Sequence, residues 1–355
     1  NANTIGIYNT AIGRSALSVN IIGSANTAVG FQALEANTTS NNSAFGYKAL
    51  AVNTTGHRNA AFGFKSLITN TSGNYNVAMG HQTLFSNTIG IFNVAIGDES
   101  LYSNTTGNRN TAVGRATLYN NTIGSFNSAF GMYALVNNTT GVANTSIGYN
   151  TLLANTTGAN NTAIGYQSLN ANTGGYNNTS VGYASLQTNV VGGNNTSVGY
   201  QSLFSNTTNN NSAFGYRALR YNTIGTNNNA FGQNALFSNT TGTHNVAFGR
   251  DALSSNTIGT NNCAFGNYAL TSNTTGRKNS AFGYQSLYFN LTGNNNSAFG
   301  YRSLFANSTG TNNSAFGYRS LRYNTTGGQN TAIGHNALLN NTIGDGNSAV
   351  GHRSL

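Results

Sequence analysis

The chain has no proline and no tryptophan, one cysteine, two methionines, and charged side chains at only 6% of its 355 positions. A single cysteine excludes a disulfide framework within one chain. Cys263 shares its place in the pattern described below with Ser43, Thr111, Asn229 and Val246, so it reads as a tolerated small residue. A redox or nucleophilic role would need activating partners that the sequence does not offer it. No run of eighteen apolar residues occurs, which leaves no candidate for a membrane-spanning helix. Asn1-Ala2-Asn3 does not read as a signal peptide, so a secreted product would carry its targeting segment outside this chain. Five acidic residues leave little for general acid–base chemistry, and no nucleophile, histidine and acid set is visible. The expectation is a protein that is not an enzyme, with no catalytic residues, no metal and no cofactor.

Low charge with many polar residues is also a mark of disorder. Disorder does not place a leucine at one fixed phase, and this chain does so 21 times. Counting Asn3 as position 1, a 17-residue unit reads N-T-[T/I]-G-x-x-N-[S/T]-A-[F/I/V]-G-x-x-[A/S]-L-x-x and restarts at Asn20, Asn37, Asn53 and onward to Asn341. Two units, Asn37 to Asn53 and Asn206 to Asn222, lack one residue before position 7. A fixed period of this length marks an architecture in which each unit buries its face only against its neighbours. Composition does not change along the chain, so residues 1–355 are expected to form one continuous repeat domain without linkers or distinct caps.

Position 15 is always Leu, position 11 always Gly, position 10 always large and apolar, and positions 9 and 14 small. These columns are expected to form the interior, exemplified by Leu287, Leu304 and Leu321 with Phe282, Phe299 and Phe316. Every Lys, Arg, Asp and Glu falls in positions 5, 6, 12, 13 or 16, which marks those columns as solvent-facing. A helix would place two glycines of each unit in its interior, each costing about 1 kcal/mol relative to Ala. The segment N-S-A-F-G-Y instead alternates as a short strand does, and N-T-T-G reads as a turn whose glycine supplies positive φ. The fold expected is all-β: a parallel β-solenoid of about 21 rungs, one turn of chain per unit. At a strand spacing of about 4.8 Å the rungs would extend roughly 100 Å. Equivalent residues would then stack, and asparagines such as Asn279, Asn296 and Asn313 could chain their amides from rung to rung.

The heptapeptide N-S-A-F-G-Y-R, with variants such as Asn161-Thr162-Ala163-Ile164-Gly165-Tyr166, resembles the head repeats of trimeric autotransporter adhesins. The longer wording N-T-A-I-G-Y-Q-S-L-x-x-N-T-T-G is similar to arrays in tail-fibre-like proteins of bacteria and phages. The resemblance implies a left-handed β-roll, a homotrimer, and a fibre outside the cell, on the cell surface or on a virion. Neither resemblance implies catalysis.

Several surface features carry further expectations. Tyrosines recur at position 12, and Tyr284, Tyr301 and Tyr318 with Arg302 and Arg319 are the candidates for a lateral contact or for stacking against surface glycans. The net charge of +10 favours loose attraction to acidic polymers over specific nucleic-acid readout. His335 and His352 fall in adjacent units, but two histidines without a carboxylate are a weak zinc signal. Asn172-Thr173-Gly174-Gly175 lacks the helix or lysine that phosphate binding would need. Asn-x-Thr sequons such as Asn37-Thr38-Thr39 and Asn104-Thr105-Thr106 are dense because the turn is repeated. An ice-binding solenoid is a third reading, although it wants alternating threonines on one strand and positions 2 and 3 are consecutive. Asn1-Ala2 fits positions 16 and 17 and Leu355 is position 15, so one chain could continue the phase of another. The function expected is a structural fibre or shaft, possible as an end-to-end filament, with a glycan-binding adhesin or receptor-binding segment as the alternative.

Overall fold

The computed structural model describes residues 3–355; Asn1 and Ala2, expected in positions 16 and 17, lie outside the described residues. Twenty-one strands of three residues run from β1 (Thr10–Ile12) to β21 (Ser348–Val350), and no helix occurs among the described residues. Each strand is positions 8 to 10 of one unit. The protein is a parallel β-solenoid with one rung per repeat.

The chain forms two compact units, one ending at Asn178 and one spanning Thr179–Leu355. In the first, β1 to β10 (Thr162–Ile164) pair in chain order. In the second, β11 (Thr179–Val181) to β21 do the same. Register keeps like beside like: β17 (Ser280–Phe282) lies on β18 (Ser297–Phe299) with Ala281 opposite Ala298 and Phe282 opposite Phe299. The short units hold the same register, as Thr196 opposite Ser212 shows, because the missing residue comes out of the turn.

Bonding between rungs continues outside the strands. Gly300 N–H donates to Phe282 O at 2.8 Å, Arg302 N–H to Tyr284 O at 3.0 Å, and Leu304 N–H to Ser320 O at 2.9 Å. Between these bonds the chain turns at left-handed residues in positions 6, 13 and 15, such as Asn295 (φ 56°), Arg302 (φ 52°) and Leu304 (φ 51°). Left-handed backbone costs an ordinary L-residue about 1–2 kcal/mol. For position 15 that cost is offset by burying a leucine, worth about 1.5–3 kcal/mol. Leu287, Leu304 and Leu321 are all fully buried.

The interior consists of Ala at position 9, Ala, Ser or Thr at position 14, Leu at position 15, and the asparagines of positions 1 and 7. Where serine replaces alanine at position 9, position 14 supplies a partner: Ser146 Oγ lies 2.6 Å from Thr151 Oγ1, and Ser185 Oγ donates to Ser197 Oγ at 2.7 Å. The inner space is narrow, and each added polar atom is matched.

Two expectations need correction. Position 10 does not face the interior. Successive strand residues point to opposite faces, and since Ala at position 9 points inward, Phe282, Phe299 and Phe316 point outward; Phe316 is 39% exposed. Their regularity comes from stacking along the outer face. The glycine of N-T-T-G is not left-handed either. It is required by close approach: a Cβ on Gly293 would meet the side-chain amide of Asn307 at 2.9 Å and collide with the Gly310 carbonyl. The position-11 glycines are the ones at positive φ, Gly300 at 130°.

Candidate contact surface

The asparagine columns hold the turn to the strand. At position 1, Asn307 Nδ2 donates to Asn290 Oδ1 of the preceding rung at 2.8 Å and to Gly310 O of its own turn at 3.0 Å. At position 7, Asn296 N–H donates to Asn279 Oδ1 at 3.0 Å while its Nδ2 reaches Gly310 O at 2.8 Å. Asn313 repeats this, its N–H and Nδ2 both donating to Asn296 Oδ1. Asn279, Asn296 and Asn313 are fully buried, so these amides are structural. The column of position 1 has a gap at the first short unit. Asn37 Nδ2 turns to Thr39 O at 2.7 Å, and the buried Asn20 Oδ1 is left with no hydrogen-bond partner.

Outside, two aromatic columns run along the second unit. Phe214, Phe231, Phe248, Phe265, Phe282, Phe299 and Phe316 form one stack with ring centres 4.3 to 5.0 Å apart and planes within 8°. Positions 8 and 10, which share this outer strand face, carry no charge in any unit. The second column, at position 12, brings together the tyrosines singled out from the sequence. Tyr284 and Tyr301 stack at 5.5 Å, Tyr301 and Tyr318 at 5.2 Å, and the stack continues through His335 to His352 at 5.0 Å each.

Arg302 and Arg319 lie on this column and Arg322 lies beside it. The Arg302 guanidinium is 5.3 Å from the ring centres of both Tyr301 and Phe305, and its Nε donates to Gln285 Oε1 at 2.6 Å. Arg319 lies 4.9 Å from the Tyr318 ring centre, and Arg322 lies 5.0 Å from that of Tyr323. Among the described residues the ion pairs involve only Asp98 and Asp251, so these three cations face no carboxylate. Folding gathers Arg302, Arg319 and Arg322 into one patch, Arg302 and Arg322 sharing the Phe305 ring. The stacking also limits what can bind. Both faces of Tyr301 are covered by Tyr284 and Tyr318, so a sugar meets ring edges, hydroxyls and guanidinium groups.

The remaining candidates resolve individually. His335 and His352 stack with planes 18° apart, which does not aim two ring nitrogens at one ion. No group of three His, Cys, Asp or Glu that could hold a metal gathers among the described residues. Cys263 is half-buried in β16 (Cys263–Phe265), and burial pushes its thiol up, away from the reactive thiolate. Threonine hydroxyls at position 2 donate to the next rung, as Thr257 Oγ1 does to Thr274 O at 3.1 Å, so that column presents few free hydroxyls to ice.

Sequence reasoning missed the left-handed turns at positions 6, 13 and 15. Their signal is an exclusion. Val, Ile and Thr never occupy positions 6 or 13, although they fill positions 3, 5 and 8, and Leu at position 15 is never replaced by Ile or Val. β-branched residues are the ones least able to take positive φ.

No family model, curated protein or solved structure matches this chain.

Proposed function

We propose that the chain is a non-enzymatic structural element, a shaft or fibre segment working outside the cell or on a virion. The observation that carries this reading is the near-complete rung-to-rung bonding beneath a surface that, among the described residues, offers no enclosed site. Asparagine amides, backbone bonds and stacked rings all run along the same direction, so load on one rung passes to the next through many parallel bonds. Side-chain variation is concentrated in outward columns, where it changes contacts without touching the ladder; the inward columns 9 and 14 vary only among Ala, Ser and Thr.

The outer face of positions 8 and 10 supports self-association. A solvent-facing column that stays large and apolar in every unit, as position 10 does, on a face without charge is better explained by a covering partner than by water. A second or third copy has the same axial period and keeps its apolar columns in register over many rungs, which supports the homo-oligomer the resemblance implies. Negative-stain images of the purified protein test the shaft. Particles that shorten by about 4.8 Å for each whole unit deleted are expected; particles of unchanged dimension would refute it.

A second reading, an adhesin or receptor-binding segment, rests on the Arg302, Arg319 and Tyr318 patch. A glycan bound there would be held through carboxylate or sulfate groups on the arginines. Binding on a glycan array that is lost in R302Q/R319Q favours it, and binding indifferent to those changes removes it.

A further inference from the structure

The repeat produces Asn-x-Ser/Thr sequons at several positions, and the fold treats two kinds of them oppositely. One kind begins at position 1, as in Asn273-Thr274-Thr275 and Asn307-Ser308-Thr309. The other begins at position 6, as in Asn160-Asn161-Thr162, Asn295-Asn296-Ser297 and Asn312-Asn313-Ser314. N-glycosylation joins a sugar C1 to Asn Nδ2, releases the diphosphate leaving group of an activated glycosyl donor, and removes one of the two Nδ2 protons.

At position 1 neither the space nor the protons exist. Asn273 and Asn307 are fully buried. Asn273 Nδ2 spends its hydrogens on Asn256 Oδ1 at 2.7 Å and Gly276 O at 3.1 Å. Asn307 does the same with Asn290 Oδ1 and Gly310 O. A sugar would remove one of these bonds and force the rungs apart.

At position 6 the conditions are reversed. Asn160, Asn295 and Asn312 are exposed. Their left-handed backbone, φ 57°, 56° and 58°, lies at an outer turn of the coil. Their backbone N–H groups bond the preceding rung at 3.0 Å, to Val142 O, Arg277 O and Asn294 O. The fold is therefore held there by backbone, and the side chain is not needed. The Asn312 amide makes only a contact of 3.3 Å with the hydroxyl of its neighbour Thr311. The sequon hydroxyls of Thr162, Ser297 and Ser314 sit on the outer face of their strands, half-buried.

We propose that the position-6 asparagines Asn160, Asn295 and Asn312 are N-glycan acceptor sites of the folded solenoid, and that the position-1 sequons are closed by folding. A glycan at position 6 stands off the outer wall and leaves every ladder bond in place. A glycan put on position 1 before folding blocks the rung that carries it.

The test uses the full folded chain with a soluble sequon-directed N-glycosyltransferase and UDP-glucose, mapped by peptide mass spectrometry. Synthetic peptides spanning the Asn273 and Asn307 sequons, which the enzyme modifies, serve as the standard for sequence competence. Hexose on Asn160, Asn295 and Asn312, with at least tenfold less on Asn273 and Asn307, is the expected result. Hexose on Asn273 or Asn307 at peptide-like levels in the folded chain overturns the proposal, and so does its absence from the three position-6 sites. In N295Q/N312Q the label at both positions disappears while amide-exchange protection of those rungs is unchanged. A loss of protection in those rungs would mean that position 6 is structural and would overturn the assignment.

Discussion

Removing one rung of the asparagine ladder has a cost that can be worked out atom by atom. Asn279 is fully buried. Its Nδ2 donates to Asn262 Oδ1 at 3.1 Å and to Gly293 O at 2.8 Å, and its Oδ1 accepts the backbone N–H of Asn296 at 3.0 Å. In Asn279→Ala all three bonds go. Gly293 O keeps its bond from Asn290 Nδ2 and Asn262 Oδ1 keeps its bond from the residue 279 N–H, but the Asn296 N–H is left buried and unpaired. An orphaned buried donor costs about 1–3 kcal/mol, and each of the other two lost bonds about 1 kcal/mol. The expected local destabilisation is about 3–5 kcal/mol. Repeat arrays unfold rung by rung, so a single global free energy is the wrong readout. Site-resolved amide hydrogen exchange is the right one. Protection around Asn296 and Gly293 should fall by at least a hundredfold, with rungs several units away unaffected. A fall of less than threefold would refute the claim that these side chains hold the coil together. Asn279→Asp adds a sign test. The buried aspartate faces two acceptor oxygens, so its folded pKa rises above the unfolded value of about 3.9. Its penalty is smallest below that pH and grows as pH rises towards the folded value; a variant that became more stable over this range would contradict the geometry.

Four further outcomes are expected. Leu304→Ile keeps volume but puts a β-branched residue at φ 51° in a fully buried site; it should cost about 2–4 kcal/mol in local exchange, against less than about 1.5 for an ordinary core swap. Gly300→Ala, at φ 130° with the Gly317 carbonyl in the path of its Cβ, should open that rung, whereas Ser303→Ala at position 14 should change protection little. Replacing Phe282, Phe299 and Phe316 by Ser should leave rung protection within about 1 kcal/mol per site, the size of a stacking contact, while lowering the mass seen by analytical ultracentrifugation if copies associate through this face. Inserting Gly between Thr39 and Ser40 should let Asn37 reach the unpaired Asn20 Oδ1 and strengthen that rung by about 1 kcal/mol.

The period, a short strand within N-S-A-F-G-Y, the buried Leu column and the Asn ladders were all legible in the sequence, because stacked identical rungs demand the same residue types at the same phase in every unit. Which way Phe299 points was not. An invariant apolar column looks the same whether it packs inward or stacks outward, and only the strict alternation around Ala298 decides it. With Ala at position 9 as the inward residue of a three-residue strand, the outward Phe follows. The left-handed residues Asn295, Arg302 and Leu304 were missed for a different reason: their signal is the residue types that never appear. The arginine patch depended on distances between rungs, which sequence position alone does not give.

The most direct test of one unit per rung is X-ray or electron diffraction from aligned particles. A sharp reflection at about 4.8 Å along the particle axis, the spacing of stacked parallel strands, is predicted. Aligned particles with no axial spacing near that value would contradict the account.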